Sequence, residues 1–189
     1  MKKIILASGS PRRKELLELA GLDFEIRVSD VDETLPEEIE PETAVEMLSK
    51  RKAEATASLY SSDYVVIGAD TVVAVDGRIL GKPKNIDDAK RMLGLLSGKT
   101  HSVYTGVTFV SGEEERTFSV KSDVVFYELT GKEINDYVST GEPLDKAGAY
   151  GIQGKGSLLI KSINGDYFNI VGLPISRLVR ELKAFISGG

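Results

Sequence analysis

The sequence predicts a single α/β domain over residues 1–189, built on a mixed sheet. Short apolar segments typical of strands alternate along the chain with stretches in which apolar residues recur at helical spacing. The most apolar segment, residues 64–75, fits a strand buried on both faces at the centre of a sheet. Two hairpins, over residues 64–80 and 100–126, exclude a purely parallel sheet. No linker or repeat divides the chain into separate domains.

The composition excludes several classes of protein. The chain has no cysteine and one histidine, which excludes thiolate metal sites and disfavours a histidine-rich zinc site. Any metal must therefore be held by oxygen ligands. The net charge of -5 argues against a general binder of nucleic acids or membrane surfaces. Because the sequence contains neither a membrane-length apolar run nor a signal-peptide pattern, we expect a cytoplasmic protein.

The first elements are a strand over residues 4–6 and a helix that begins at Ser10 or Pro11 and ends near Gly21. Gly9 allows a sharp turn between the two elements. Serine is a preferred N-cap, and proline suits the first helical position. The segment is therefore read as strand, tight loop and helix.

Cations crowd the start of this helix, where the dipole disfavours positive charge. Arg12, Arg13 and Lys14 are consecutive, and the Ser8 hydroxyl lies just before them. Together with the free N–H groups of the helix N-terminus, they predict a bound anion, for which phosphate is the natural candidate. The alternative is that the serines only cap the helix and the cations only coat its surface.

A half-buried strand over residues 24–28 and an acidic stretch over residues 30–33 follow. Pro41 opens a long helix that runs to about Tyr60. Three adjacent cations at positions 50–52 interrupt its pattern. Since three adjacent residues cannot share one helical face, we expect most of these cations to be solvated.

Asp70 is a charged residue within the otherwise apolar segment that is predicted to form the central strand. A buried carboxylate must be neutralised by a partner, solvated in a cleft or bound to a cation. Gly68 just ahead predicts a bulge or a close backbone approach, either of which can turn a side chain toward a site. The turn at Asp76-Gly77 returns the chain toward Lys82, so antiparallel pairing would let Lys82 approach Asp70. The alternative is that Asp70 only accepts hydrogen bonds from nearby backbone N–H groups.

The remaining elements follow from local signals. His101, at the start of the second hairpin, is expected to be structural or to face solvent. The predicted elements are a helix capped by Asn85 and ending at Gly98, a hairpin of residues 100–110 and 116–126, a helix opened by a capping box at Thr130 and closed by Gly141, a hairpin around Asn164-Gly165 and a helix opened by Pro174.

The stretch from Glu142 to Gly156 contains four glycines among small residues and is too irregular for a strand. Backbone amides in such a loop can approach a ligand closely. The Gln153 amide can recognise a base edge because it offers both a donor and an acceptor. The alternative is a flexible surface loop.

From the residues alone, the chain offers an anion loop, a buried carboxylate, an acidic stretch, separated lysines and a glycine-rich loop. A polyphosphate ligand with a divalent cation held by oxygens would use all of these features. They indicate a magnesium-dependent enzyme or a sensor that acts on a nucleotide, and they do not choose between the two.

Four ordered motifs resemble the Maf family, and the likeness covers essentially the whole chain. It implies an elongated mixed sheet flanked by helices, with a cleft between two lobes, similar to the inosine triphosphate pyrophosphatases. The motifs are Ser8-x-Ser10-Pro11-Arg12-Arg13, Gly68-Ala69-Asp70-Thr71, Gly81-Lys82-Pro83 and Asp145-Lys146-Ala147-Gly148-Ala149-Tyr150-Gly151-Ile152-Gln153-Gly154.

The resemblance implies a nucleoside triphosphate pyrophosphatase. In such an enzyme, water attacks the α-phosphorus and releases a nucleoside monophosphate and pyrophosphate, with Mg²⁺ or Mn²⁺ required. Members are often homodimers and are also described as inhibitors of septum formation. The late motif resembles the branch that acts on dTTP, UTP and modified uridine triphosphates.

The same resemblance assigns substrate contacts. Arg12, Thr71 and Gln153 stand where that branch sets its base preference. Ser8, Arg12 and Arg13, with the helix N-terminus, are implied to hold the triphosphate.

The resemblance also assigns the chemistry. Lys52 and Lys82 are implied to neutralise charge on the leaving pyrophosphate. Asp70 is the implied general base, and Glu33 is implied to hold the metal with Asp70, although other acids of the 30–33 stretch fit that role in sequence.

Two other functions fit the same residues. A nucleotide-binding regulator of cell division would use the pocket without hydrolysis, and a phosphatase would remove the γ-phosphate. The residues themselves favour neither product, because the choice of phosphorus depends on where the metal and the water lie.

Overall fold

The computed structural model describes residues 2–28 and 30–188. In these residues one sheet contains the strands β1 (Lys3–Leu6), β2 (Phe24–Ile26), β3 (Tyr64–Val75), β4 (Arg78–Leu80), β5 (Thr100–Ser111), β6 (Glu114–Phe126) and β7 (Ile160–Asn164). The α-helices are α1 (Pro11–Leu19), α2 (Pro41–Ala57), α3 (Ile86–Leu96), α4 (Gly131–Val138), α5 (Tyr167–Val171) and α6 (Ile175–Ser187). Short 3-10 turns cover Glu142–Asp145, Ala147–Ala149 and Lys155–Leu159.

The sheet is mixed, as predicted. Its strand order is β2-β1-β3-β5-β6-β7, and β4 pairs with β3 outside this path. β1 is parallel to both β2 and β3, whereas the β3–β4 and β6–β7 pairs are antiparallel. β3 lies third along the path and is buried over nearly its whole length, so its prediction as the central strand is confirmed.

Packing divides the chain into two compact units. The first unit contains the residues up to Asp70, Thr105–Val120 and the residues from Gly172 onward. The second unit contains Thr71–Tyr104 and Lys121–Val171. The predicted site residues of the first unit are Ser8, Arg12, Arg13, Glu33, Lys52 and Asp70, and those of the second unit are Thr71, Lys82 and Gln153.

In the first unit, α2 lies so close to the sheet that two strand positions accept only glycine. A Cβ at Gly68 of β3 would collide with the backbone of Ser49 and Ala53. A Cβ at Gly106 of β5 would collide with the backbone of Val45. The three helix residues are spaced by four and therefore share one face of α2. The close backbone approach predicted at Gly68 is confirmed.

In the second unit, residues of α3 and α4 belong to a hydrophobic core, and the only histidine of the sequence packs against its Phe126 and Tyr150 rings. The Asn85 side chain caps α3 as predicted, by accepting the N–H of Asp88 at 2.9 Å. His101 is buried, and its Nε2 lies 2.8 Å from the Tyr150 hydroxyl. The structural role expected for His101 therefore holds, and the solvent-facing alternative is wrong.

The predicted elements are mostly confirmed, with some ends displaced. The α2 helix ends at Ala57 instead of near Tyr60, and β2 ends at Ile26 instead of at residue 28. The capping box at Thr130 is present and opens α4. In the described residues, no helix combines the length and the apolar character needed to cross a membrane.

The hairpin predicted around Asn164-Gly165 is wrong, because β7 is followed by α5. The Asp166 carboxylate accepts the N–H of Phe168 at 2.8 Å and so stabilises the first turn of that helix. A Cβ at Gly165 would lie 2.8 Å from Ser122 Oγ of β6. The glycine therefore permits a close approach to β6, and no second strand follows it.

Candidate active site

The loop between β1 and α1 has the predicted form of strand, tight turn and helix. Pro11 is the first residue of α1, and the Ser10 side chain caps the helix by accepting the N–H of Arg13 at 3.5 Å. The first turn of α1 contains no acidic residue to offset the helix dipole. The N-terminus of α1 is therefore favourable for an anion.

The three cations of this turn differ in exposure. Arg12 and Arg13 are half-buried, whereas Lys14 is exposed and lies 3.5 Å from the Glu18 carboxylate one turn later. Such surface ion pairs contribute little to stability. Lys14 is thus an ordinary surface residue, as its position outside the sequence motif suggested.

Arg13 ties the loop to the C-terminal segment of the first unit. Its NH1 donates to the buried Ser8 hydroxyl at 3.1 Å, and its Nε donates to the Gly172 carbonyl at 2.9 Å. The Ser8 hydroxyl also accepts the N–H of Ser10 at 3.3 Å. Burial lowers the pKa of Arg13, and the nearby negative charge of Asp70 opposes that effect. Arg13 therefore carries positive charge within the electrostatic reach of Asp70.

Lys52 lies between two carboxylates. Its Nζ is 2.5 Å from Asp70 Oδ1 and 2.7 Å from Glu33 Oε1. The side chains of Lys52 and Asp70 are 14% and 13% exposed, whereas that of Glu33 is 61% exposed. Removing charges from water is costly unless they are paired. Asp70 is therefore neutralised by a partner, which is one of the three solutions weighed from the sequence. We call these three residues the Lys52 cluster.

The glycine in β3 explains how this cluster forms. Lys52 immediately precedes Ala53, whose backbone would collide with a Cβ at Gly68. Asp70 is two residues further along β3, and alternate strand residues share one face. The close approach of α2 to Gly68 thus brings the Lys52 ammonium to the Asp70 carboxylate.

Arg51 holds the loop that carries Glu33. Its NH1 donates to the carbonyl oxygens of Asp32 and Thr34, both at 2.9 Å. The Asp32 carboxylate accepts the N–H of Thr34 at 2.9 Å, and its hydrogen bonds with Thr34 lower the pKa of Asp32. Asp32 therefore shapes the turn, while Glu33 reaches Lys52.

The prediction that most cations at 50–52 are solvated is wrong for Arg51 and Lys52. Lys50 is about half exposed and pairs with Glu115 at 2.8 Å. Helical periodicity could not reveal these partners, because the acidic loop and β3 approach α2 from distant parts of the sequence. Arg51 is the residue that sequence reasoning missed, and only its position beside Lys52 could have indicated it.

The Lys52 cluster contains two carboxylates that could hold a metal ion. In the described parts of the chain, no three acidic or histidine side chains are grouped so that they could hold a metal ion. Glu33 and Asp70 nevertheless share one cationic partner, and carboxylate oxygens are the usual ligands of hard divalent cations. Mg²⁺ is commonly bound by one or two carboxylates together with waters and substrate phosphates. This donor set fits an ion that binds together with a phosphate ligand.

In the second unit, Thr71 lies on β3 and Lys82 follows its partner strand β4. β3 and β4 are antiparallel, with Val73 opposite Leu80. Lys82 lies two residues beyond the end of β4. Lys82 is exposed, and Thr71 is partly buried. The predicted approach of Lys82 to Asp70 stays a prediction.

The glycine-rich stretch of the second unit forms short 3-10 turns that are held by backbone hydrogen bonds. The Gly148 N–H donates to the Gly81 carbonyl at 3.0 Å, next to Lys82 in the chain. Gly148 has a φ of 68°, and a Cβ there would lie 2.9 Å from the Val73 side chain. Gln153 is exposed between two 3-10 turns of the same stretch.

The sequence profile of the Maf family, described as "Maf-like protein", matches residues 3–185. The chain belongs to the Maf family. The Maf assignment predicted from the four sequence motifs is thus confirmed.

Curated Maf-family relatives share most of their length with this chain. A dTTP/UTP pyrophosphatase of Bacillus cereus strain G9842 is 60% identical over 185 residues, which are 98% of this chain and 96% of the relative. A dTTP/UTP pyrophosphatase of Bacillus thuringiensis subsp. konkukian strain 97-27 has the same identity and coverage. Among solved structures, the Ham1 protein of Staphylococcus aureus is 17% identical, with a TM-score of 0.55 over 99% of both chains. This last likeness shows the fold alone, and it agrees with the predicted fold class.

Proposed function

We propose that this Maf-family chain is a nucleoside triphosphate pyrophosphatase that hydrolyses dTTP and UTP to the nucleoside monophosphate and pyrophosphate. The proposal rests on 60% sequence identity, over 98% of the chain, to relatives that are dTTP/UTP pyrophosphatases. Modified pyrimidine nucleoside triphosphates are included as substrates. The proposal also includes a single domain over residues 1–189, a homodimer and a cytoplasmic location.

Phosphate binding is assigned to the loop between β1 and α1. The α1 N-terminus, the Ser8 hydroxyl and the cations Arg12 and Arg13 offer N–H, O–H and charged donors in one short segment. Arg13 is held by Ser8 and Gly172, which supports a fixed direction for its guanidinium. Fixed donors stabilise developing charge without reorganising during the reaction.

Asp70 is assigned as the general base. A water molecule attacks the α-phosphorus, its proton passes to the Asp70 carboxylate, and the bond between the α-phosphorus and the oxygen that bridges to the β-phosphorus breaks. Pyrophosphate leaves with the electrons of that bond. Lys52, held beside Asp70, and Lys82 of the second unit are assigned to offset the charge on this leaving group.

Glu33 and Asp70 are assigned to hold Mg²⁺ or Mn²⁺, since both carboxylates already share a cation. When bound, a divalent ion supplies positive charge that polarises the attacking water and offsets phosphate charge. Arg51 fixes the backbone on both sides of Glu33, and so presents that carboxylate.

Base recognition is assigned to Arg12, Thr71 and Gln153. The Gln153 amide offers a donor and an acceptor, which match the paired polar edge of thymine or uracil. A site built on such paired contacts rejects bases with a different donor and acceptor pattern.

The test is a panel of dTTP, UTP, dCTP, dATP and dGTP incubated with Mg²⁺, in which pyrophosphate and orthophosphate are both measured. We expect dTTP and UTP to give pyrophosphate and the monophosphate, with lower kcat/KM for the other nucleotides. Orthophosphate with a diphosphate product would indicate a phosphatase. Binding of dTTP without any product would indicate a nucleotide-binding regulator. Either result would overturn the proposal.

A further inference from the structure

We propose that Glu142 and Tyr137 are positioning residues that set base selectivity by fixing the glycine-rich segment that carries Gln153. We call residues 151–156 the Gln153 segment. The inference rests on the proposed function, in which Gln153 reads the base, and it adds two residues that do not themselves touch the substrate.

Glu142 and Tyr137 bond both ends of the Gln153 segment. Glu142 Oε2 accepts the N–H of Lys155 at 2.9 Å, and Oε1 accepts the N–H of Gly156 at 3.1 Å. The Tyr137 hydroxyl donates to Glu142 Oε1 at 2.9 Å and accepts the N–H of Gly151 at 3.1 Å. Two side chains thus bind three backbone N–H groups, at the beginning and at the end of the segment.

The glycines of this segment are explained by these contacts. A Cβ at Gly154 would collide with the Glu142 carboxylate, and one at Gly156 would lie 2.7 Å from the Tyr137 hydroxyl. A Cβ at Gly151 would lie 2.6 Å from the Lys146 side chain. None of these three glycines has a positive φ. Gly154 and Gly156 therefore allow the backbone to approach Glu142 and Tyr137 closely, and none of the three glycines is required for a left-handed turn.

The anchors are themselves fixed. The Tyr137 side chain is buried on α4, and burial raises the pKa of its hydroxyl, which stays a donor at neutral pH. Burial alone would raise the pKa of Glu142, but the three donors that it accepts outweigh this effect, and its pKa lies below the usual range. The Lys146 ammonium also donates to the Glu142 carbonyl at 2.7 Å. Glu142 therefore stays ionised and accepts three hydrogen bonds.

The residue just before the segment is anchored independently. Tyr150 is 5% exposed, and its hydroxyl is bonded to the buried His101 ring at 2.8 Å. Gln153 is exposed in the middle of the segment, so its direction depends on the backbone that carries it. A free stretch with three glycines would sample many conformations and would lose more entropy when a base binds. Fixing both ends removes part of that cost for the correctly matched base.

The experiment compares Tyr137→Phe and Glu142→Gln with the wild-type enzyme, with kcat/KM measured for dTTP and for dCTP. Tyr137→Phe removes the acceptor of the Gly151 N–H, and Glu142→Gln turns an accepting oxygen into a donating amide. We expect the ratio of kcat/KM for dTTP to that for dCTP to fall about tenfold in each variant, since each loses one or two hydrogen bonds. The loss should lie mainly in KM for dTTP, with pyrophosphate still the product. Tyr127→Phe, an exposed site in the same unit, is the matched control and should leave the ratio unchanged.

A double-mutant cycle with Gln153→Ala separates positioning from general destabilisation. If Glu142 acts through Gln153, Glu142→Gln should change the selectivity ratio little in a Gln153→Ala background. Equal losses in both backgrounds, or an unchanged ratio in the two single variants, would overturn the inference. If Glu142→Gln does not fold, the selectivity ratio of Tyr137→Phe tests the inference alone, because that variant keeps the Glu142 carboxylate. A wild-type enzyme that produces no pyrophosphate from dTTP would instead refute the proposed function.

Discussion

The two units each contain a carboxylate that is mostly shielded from water, and the partners of these carboxylates differ in kind. In the Lys52 cluster, Asp70 and Glu33 share a side-chain cation. In the second unit, Glu142 accepts hydrogen bonds from two backbone N–H groups and a buried tyrosine. A side-chain ammonium can be joined or replaced by a ligand, whereas backbone donors cannot leave without unfolding the loop. The first arrangement suits chemistry, and the second suits the support of a recognition loop.

The largest effect should follow from Asp70→Asn. The amide keeps the shape of the side chain but cannot take a proton from water, so kcat for dTTP should fall by about 100-fold or more. Pyrophosphate release measures it, and the melting temperature checks the fold. The exposed Asp23→Asn variant of the same unit should retain wild-type turnover. Turnover of Asp70→Asn within a factor of two of wild type would end the assignment of Asp70 as base.

Lys52→Met tests whether the ammonium holds the two carboxylates together. The variant leaves Asp70 shielded from water without its cation, so we expect the free energy of unfolding at pH 7 to fall by about 2 to 3 kcal/mol. Urea unfolding at pH 7 measures this loss, with Lys50→Met as the control. An unchanged stability would mean that the cluster contributes nothing to the fold.

His101 should make the stability of the protein depend on pH. Burial lowers the pKa of His101 to about 4, while the nearby Asp123 charge opposes the shift. The unfolded chain binds the proton near pH 6.5, so it holds more protons than the folded chain between these values. Stability is therefore lost as the pH falls through this window, by about 2 kcal/mol between pH 7 and pH 5.

Comparison of wild type with His101→Gln at both pH values isolates this contribution. The variant should lose the histidine part of the pH dependence, while the acidic residues continue to contribute equally in both proteins. An identical pH dependence in the two proteins would place the titration of His101 outside this window.

Arg51→Gln should have the smallest effect of the series. It removes the donors to the carbonyls of Asp32 and Thr34, which flank Glu33. Supporting residues of this kind typically change activity by about 10-fold or more. We expect kcat/KM for dTTP to fall about tenfold, with a higher Mg²⁺ concentration needed for half-maximal activity. Lys50→Gln is the control, because Lys50 is the neighbouring residue but pairs with Glu115. Its kcat/KM for dTTP should stay within a factor of two of wild type.

Local signals predicted the parts of the fold that depend on local chemistry. The N-cap at Ser10, the capping box at Thr130 and the turn at Asp76-Gly77 are all present. The glycine at position 68 correctly indicated a close backbone approach, since a strand interior rarely accepts glycine without such a reason. These features depend on a few adjacent residues, and a single sequence contains them in full.

Partners that come from distant segments could not be predicted. The contacts of Arg51 with the acidic loop, and the multiple bonds of Glu142, require elements that approach only in the folded chain. The error at Gly165 has the same origin, because the glycine fits against Ser122 of another strand. The sequence marks Asp70 as exceptional, but helical periodicity cannot select its cation, Lys52, from three adjacent candidates on α2. The family resemblance, not periodicity, supplied the role of Lys52.

The most direct test of the proposed reaction is hydrolysis of dTTP in oxygen-18 water, with mass analysis of both products. Attack on the α-phosphorus predicts one labelled oxygen in dTMP and none in pyrophosphate. Label in pyrophosphate would place the attack on the β-phosphorus, and labelled orthophosphate would place it on the γ-phosphorus. Either result would contradict the assignment of this chain as an α-attacking nucleoside triphosphate pyrophosphatase.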